Sequence, residues 1–476
     1  MHGPAPVSAD PATPPTADLA DAVRQLRRGT ALVVGDAMLD RYVFGRVERV
    51  SPEAPVPVLC VEREVALPGG AGNVVRNLTA LGVAVAFVSV VGDDQAGSDL
   101  TGLIGGQPGV EPWLLVQGGR ATTTKTRFMA AGQQLLRADH ENTAPIHPRL
   151  AERLVRIASD AVAATAVMVL SDYRKGVLAA DTAAQLIAAA RAAGRKVVVD
   201  PKGGAHARFA GADLIIATSA ELAESTGLPA STRAEAVAAA RALRAAHGFG
   251  AVLVLRGETG LTLVEAPEEP GGEERVSHMP CDVADVVDPA GADDAVVAVA
   301  AAGLSAGLPL RVSARLGALA AGIVMGKTGI SVVREDEFLE VLQPGWLARR
   351  KLVTRAQAME RAERWRRAGW RIGLIAGSAM ADLPGVLAQA RAWCDRLVVA
   401  LHEADGRAEA LAELAEVDLV TRFTGDSPVE LIRLLRPDVL VQDPEHAPET
   451  VAGGEVVQEW GGEIRRPVIA ADTLGA

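Results

Sequence analysis

Aromatic side chains make up only 3% of this 476-residue chain, so a core must be filled by Ala, Val and Leu within its 49% of hydrophobic residues. Cysteine is as scarce: Cys60, Cys281 and Cys394 form neither a metal-binding spacing nor a disulfide framework, a usage that fits a reducing cytoplasm. No set of metal-ligating side chains stands out either. Basic residues are not in excess. The formal net charge is −11, which argues against a nucleic-acid partner. No uncharged, strongly apolar run approaches the ~18 residues of a membrane span, and no charged segment followed by an apolar one opens the chain. Neither a membrane partner nor a secretory signal is expected, and the protein reads as cytoplasmic.

What is present is alternation. After a Pro/Ala/Ser/Thr-rich N-terminal extension and a lead-in helix (residues 1–28), apolar runs such as Ala84–Val91, Ala166–Leu170, Lys196–Val199, Leu214–Ala217 and Ala251–Leu255 alternate with helical patterns such as Pro148–Ala164 and Thr182–Ala193. That rhythm predicts right-handed βαβ units and a mostly parallel α/β sheet covered on both faces. A boundary is expected near residue 342, with a linker over 342–354 and a basic amphipathic helix from Arg349 to about Ala368. A smaller α/β domain of Rossmann-like outline follows over 355–476.

Three strings carry chemistry. Residues 285–296, Asp-Val-Val-Asp-Pro-Ala-Gly-Ala-Asp-Asp-Ala-Val, place acids just after a small-residue turn at a helix start. There the amides and the helix dipole can hold phosphate charge while a carboxylate takes a proton from a hydroxyl. An Asp in a first turn is, alternatively, a dipole partner or a cap. Upstream, Leu67-Pro-Gly69-Gly70-Ala-Gly-Asn73 precedes another helix, and Ala31-Leu-Val-Val-Gly-Asp36-Ala-Met-Leu-Asp40 reads as a buried strand ending in two carboxylates suited to polyol hydroxyls.

In this order, the Gly-Asp strand end, Gly-Gly-x-x-Asn and a distal Gly-Ala-x-Asp resemble the ribokinase-like (PfkB) sugar kinases. Further strings, Asp36 to Tyr42, Ser51 to Val58, Lys125-Thr-Arg127 with Gln133 to Arg137, Ser171-Asp-Tyr-Arg-Lys175-Gly176 and Val199-Asp-Pro-Lys202-Gly203, resemble the heptose 7-phosphate kinase half of bifunctional ADP-heptose synthesis proteins, over residues 29–341. The resemblance implies a small β lid over the sugar site, built from Arg41–Glu64 and often used for dimer contact. It also implies ATP and Mg²⁺ as cofactors, a sugar phosphate as substrate, a homodimer, and a place in lipopolysaccharide-core heptose synthesis.

By the same resemblance Asp294 is the general base, and the amides of Gly291, Ala292 and Asp293 form the anion hole. Asp36, Asp40, Gly69, Gly70 and Asn73 match sugar-binding positions. Lys125 and Arg127 are candidate partners for the 7-phosphate or a solvated basic pair. Thr218 and Glu221 occupy the Asn-x-x-Glu motif that organises Mg²⁺ and phosphates, and Lys202 and Arg256 stand on the presumed ATP side or are surface charges. The family's Gly-Ala-Gly-Asp is Gly291-Ala-Asp293-Asp294 here. A second carboxylate roughly 5 Å from a phosphate oxygen would cost on the order of 3 kcal/mol at an effective dielectric near 20, about a hundredfold in rate, unless it points to solvent.

The C-terminal part resembles the adenylyltransferase half but lacks its His-x-Gly-His motif: Ala376 to Gly385 contains no histidine, and Gln442-Asp-Pro-Glu445 replaces Lys-Gly-Gly-Asp. His402 and His446 lie elsewhere and read as surface residues. The expectation is a sugar kinase joined to an inactive transferase. The alternative is a non-catalytic relative that binds sugar phosphate or nucleotide as a regulator or scaffold.

Overall fold

Thr30–Gly35 is apolar without alternation, as a strand buried on both faces requires, and it forms β1 within a nine-stranded sheet. The computed structural model describes residues 16–267, 272, 274–281, 286–377, 383–425, 427–442 and 453–468. It divides into two units, Met1–Phe338 and Leu339–Ala476.

The first unit begins with α1 (Thr16–Leu26), β1, β2 (Ala37–Val50), β3 (Pro57–Gly70), α2 (Ala71–Ala80), β4 (Ala84–Gly92), α3 (Gln95–Gly105), β5 (Val110–Gln117), β6 (Thr124–Ala130) and β7 (Gln133–His140). It continues with α4 (Pro148–Val162), β8 (Val167–Asp172), α5 (Thr182–Ala192), β9 (Lys196–Pro201), β10 (Leu214–Thr218), α6 (Ser219–Thr226), α7 (Arg233–His247), β11 (Ala251–Leu255), β12 (Leu261–Glu265) and β13 (Arg275–Met279). The helices α8 (Ala292–Ser305), α9 (Leu310–Met325) and α10 (Glu335–Leu342) follow. The main sheet runs β13-β12-β11-β10-β9-β8-β1-β4-β5, parallel except where β12 pairs antiparallel with β11 and β13.

The lid is a separate sheet, ordered β3-β2-β6-β7. The expected Arg41–Glu64 supplies only part of it. Residues 124–140 complete it, because β6 joins β2 in parallel and then turns back antiparallel as β7. Its far side carries apolar residues in solvent, among them Val61 and Leu136.

Small side chains decide how the site is framed. Helix α8 is buried almost throughout, and Ala, Val and Gly let it lie tightly against α9: a Cβ at Gly303 would meet Ser313 Oγ at 2.2 Å. This is the core that a chain poor in aromatics can build.

The second unit comprises α11 (Trp346–Lys351), α12 (Arg355–Arg367), β14 (Ile372–Ala376), α13 (Leu383–Ala392), β15 (Arg396–His402), α14 (Ala408–Glu413), β16 (Leu419–Phe423), α15 (Val429–Leu435), β17 (Val439–Val441), α16 (Gly454–Gln458) and β18 (Glu463–Arg465). All its sheet pairings are parallel, in the order β16-β15-β14-β17-β18. Two expectations change here. The stretch 342–354 is structured: Ala348 on α11 is buried in the unit's core, and Leu352 bridges Val420. The single basic helix from Arg349 breaks in two, since Thr354 and Gln357 form a capping box that starts α12 afresh.

Candidate active site

The tip of α8 is set by Gly291, whose φ of 85° a side chain would strain and whose Cβ would press on Asn73 Nδ2 at 3.1 Å. Immediately after it the two acids diverge. The Asp294 carboxyl is buried, whereas the Asp293 side chain is 48% exposed.

Both oxygens of Asp294 are held. Asn73 Nδ2 donates to Oδ2 at 2.7 Å, and the Tyr173 hydroxyl donates to Oδ1 at 2.5 Å. Arg76 donates to Asn73 Oδ1 at 3.0 Å, which turns the amide's N–H₂ toward the acid. Burial pushes the Asp294 pKa up, and Lys202, Tyr173 and Asn73 pull against it. A carboxylate so oriented can accept a proton from a hydroxyl placed before it.

Lys202 sits among acids. Its Nζ lies 3.0 Å from Asp200 Oδ1 and 3.8 Å from Asp293 Oδ2, and it covers the Tyr173 ring at 5.5 Å. Burial works against the ammonium, yet Asp200, Asp293, Asp294 and Glu221 outweigh it and raise its pKa. Burial lifts Asp200 to about 7 despite Lys202. The extra carboxylate of Asp293 therefore faces a lysine.

On the lid side, Arg127 donates to Asp40 Oδ1 at 2.5 Å. Gly69 permits this: a Cβ there would stand 1.8 Å from Asp40 Oδ2. Asp36 does something other than face the lid. Its Oδ2 accepts the amides of Tyr173 and Lys175, both at 2.9 Å, and its Oδ1 accepts that of Val177 at 3.0 Å. Burial, then the neighbouring Asp172, raise its pKa to about 6. Lys125 is bound by Asp139 at 2.9 Å and Glu141 at 2.7 Å, so the expected basic pair is already matched by acids.

Among the expected anion-hole amides, that of Ala292 is committed to the Pro289 carbonyl at 3.2 Å. Thr218 and Glu221 form the capping box of α6, with Glu221 Oε2 accepting from the Thr218 amide and hydroxyl, both at 2.8 Å. Glu221 Oε1 also accepts from the Gly203 amide at 3.1 Å, which ties α6 to the turn bearing Lys202. Arg256, at the end of β11, makes no ion pair among the described residues. Gly70 ends β3 and caps α2 beside Asp36.

Sequence reasoning misses two site residues, Tyr173 and Arg76. Tyr173 lies within the string Ser171–Gly176 that carries the resemblance. Arg76 follows Asn73 by one turn of α2, which is the only local signal it offers.

In the second unit, the Ser378–Asp382 part of the His-x-Gly-His equivalent, and Asp443, Glu445 and His446, lie outside the described residues. His402 accepts the Ala404 amide at 3.2 Å and meets the Phe423 ring edge-on at 5.7 Å, which accounts for it structurally.

A mostly parallel α/β sheet, a β lid rising from the ends of its strands, and a buried acid on a helix tip beside them define a kinase acting on a carbohydrate hydroxyl. The chain belongs to the pfkB family carbohydrate kinases, whose defining pattern matches residues 29–336. It is 54% identical over 466 residues to the bifunctional protein HldE of Acidiphilium cryptum (strain JF-5), covering 94% of each chain. To the bifunctional protein HldE of Paramagnetospirillum magneticum (strain ATCC 700264 / AMB-1) it is 45% identical, again over 94% of each. Among solved structures, the Arabidopsis thaliana ribokinase complexed with ribose and ATP matches at a TM-score of 0.51 and 21% identity, over 66% of this chain and 99% of that one. Phosphofructokinase-2 from Escherichia coli in complex with potassium matches at 0.53 and 18%, over 66% and 98%. These structures share the fold. The protein is accordingly an ATP-dependent sugar kinase. No helix of the described residues is long and apolar enough to cross a membrane.

Proposed function

We propose that the first unit transfers the γ-phosphoryl group of ATP to O1 of D-glycero-β-D-manno-heptose 7-phosphate, giving the 1,7-bisphosphate used in ADP-heptose synthesis. The carrying observation is the buried Asp294 carboxylate with both oxygens oriented at the tip of α8. The O1–Pγ bond forms as the bond from Pγ to the β–γ bridging oxygen breaks; the O1 proton passes to Asp294, and ADP leaves. Such transfer depends mainly on positioning and charge stabilisation. The choice of heptose rests on the motif strings and on full-length similarity to the HldE proteins.

Mg²⁺ fits the site's charge. Asp200, Asp293 and Asp294 surround one ammonium, and that surplus of acid favours a cation with the triphosphate over the triphosphate alone. No cluster of three protein metal ligands occurs among the described residues, so the ion would keep waters and phosphate oxygens as its main ligands. Glu221, already accepting three hydrogen bonds, suits a water-mediated partner. Bound Mg²⁺ would neutralise charge on the transferring phosphoryl group.

The second unit carries out no adenylyl transfer in this reading, because its Ala376–Gly385 stretch has no histidine to stabilise charge on a transferring phosphorus. The lid's exposed Val61 and Leu136 support a homodimer formed lid to lid, and use of ATP supports a cytoplasmic location. The test follows ADP and pyrophosphate released by purified protein with Mg²⁺, ATP and the heptose phosphate. ADP alone is the expected result. Pyrophosphate would overturn the reading of the second unit, and neither product from folded protein would point to a non-catalytic relative.

A further inference from the structure

The chain has two tyrosines, Tyr42 and Tyr173, and of the two it is Tyr173 that donates to the base. We infer that Tyr173 is a positioning residue for the reaction: its hydroxyl clamps Asp294 in the rotamer and ionisation state in which the carboxylate takes the sugar proton. The inference rests on the reading of Asp294 as base.

The geometry is specific. A carboxylate on the first turn of a helix can rotate about its Cβ–Cγ bond, and Asn73 alone, binding Oδ2, leaves that rotation partly free. Tyr173 removes it from the other side. The tyrosine is in turn placed from below, since Asp36 accepts its backbone amide and those of Lys175 and Val177. It is also covered from above by Lys202. Asp36 thus acts on the base at one remove, through the loop it anchors.

A phenol that donates to a carboxylate favours the ionised form. Loss of the hydroxyl removes that preference. The charged groups facing the Asp294–Tyr173 pair are Lys202, Asp200, Asp293 and, from α2, Arg76. All of them remain in a Tyr173→Phe variant.

The experiment is Tyr173→Phe in the full-length protein. Turnover is expected to fall about tenfold to a hundredfold, with KM for ATP unchanged and Tm lowered by only about a few degrees. The acid limb of the kcat/KM profile should move to higher pH by about one unit. A substrate-free readout accompanies it: ¹³C NMR titration of the aspartate carboxyls, with the Asp294 signal assigned by its loss in Asp294→Asn. That signal should titrate at higher pH in the phenylalanine variant. An unchanged rate, or a reduced rate with both the acid limb and the carboxyl titration unmoved, would overturn the inference. Retained turnover in Asp294→Asn would instead overturn the base itself, which separates the two failures.

Discussion

The two units are both α/β sheets that share acids at the starts of their strands, and they differ in what gathers at the strands' other end. In both, aspartates preceding strands accept a backbone amide of the neighbouring strand: Asp213 takes Val197 N in the first unit, and Asp418 and Asp438 take Leu397 N and Ile372 N in the second, each at 2.8 Å. These acids fix register at the starts of β10, β16 and β17. In the first unit acids and a lysine also gather at the C-terminal strand ends, as Asp36 after β1, Asp172 on β8, and Asp200 with Lys202 at β9. Open α/β sheets bind ligands at that end. Among the described residues of the second unit, the corresponding ends carry Ala376, then His402 packed on Phe423 and followed by Glu403 and Asp405, the latter paired with Arg407 at 2.8 Å, and Gln442, with no lysine among them. A shared scaffold therefore says little about chemistry, and the loading of its C-terminal rim says much.

The sharpest way to break this contrast is Asp294→Asn, which should cut turnover by about a hundredfold to ten-thousandfold while isothermal titration finds ATP binding nearly intact. The matched change in the second unit, Asp438→Asn, should leave turnover alone and lower stability by about 1–3 kcal/mol, seen as an earlier unfolding transition. Next in size, Gly69→Ala should drive a methyl group into Asp40 and raise the sugar KM about tenfold or more, with kcat much less affected; an equal KM would disconnect Asp40 from the sugar.

Asp200→Asn tests the buried charge through pH. In the wild type the folded pKa of about 7 lies above the ordinary carboxylate value of 3.8. The native state therefore holds the proton more tightly, and the associated stability is present below about 4 and lost as pH rises through about 7. Relative to wild type, the asparagine variant should gain stability across that window in denaturant titrations at several pH values. The smallest effect is expected from Asp293→Gly. A half-exposed acid facing Lys202 at 3.8 Å is worth at most about 1 kcal/mol, so steady-state rates should change less than about fivefold. A hundredfold gain would mean that the carboxylate does reach the phosphate.

Local pattern is enough for the parts of the site that are local. A small-residue turn before an acid locates Asp294, and Gly-Gly-x-x-Asn locates Gly69 and Asn73, because each is a helix start with its own signature. The partners of these residues are not legible in the same way. Tyr173 meets Asp294 across 121 residues, and Lys125 meets Asp139 only through the β6–β7 register. The lid is half visible for the same reason: β2 and β3 are adjacent in sequence, whereas β6 reaches them from residue 124. Thr218 and Glu221 are a different case: the motif is legible in sequence, while its service as the helix cap of α6 is seen only in the structure.

The base draws its donors from remote parts of the chain, Asn73 lying 221 residues before it and Tyr173 121. Contacts of such separation form late, after the intervening chain has closed its loops. A nascent or half-folded molecule, however much secondary structure it has gained, holds an acid with neither donor in place. Catalytic competence is thus coupled to completion of the fold.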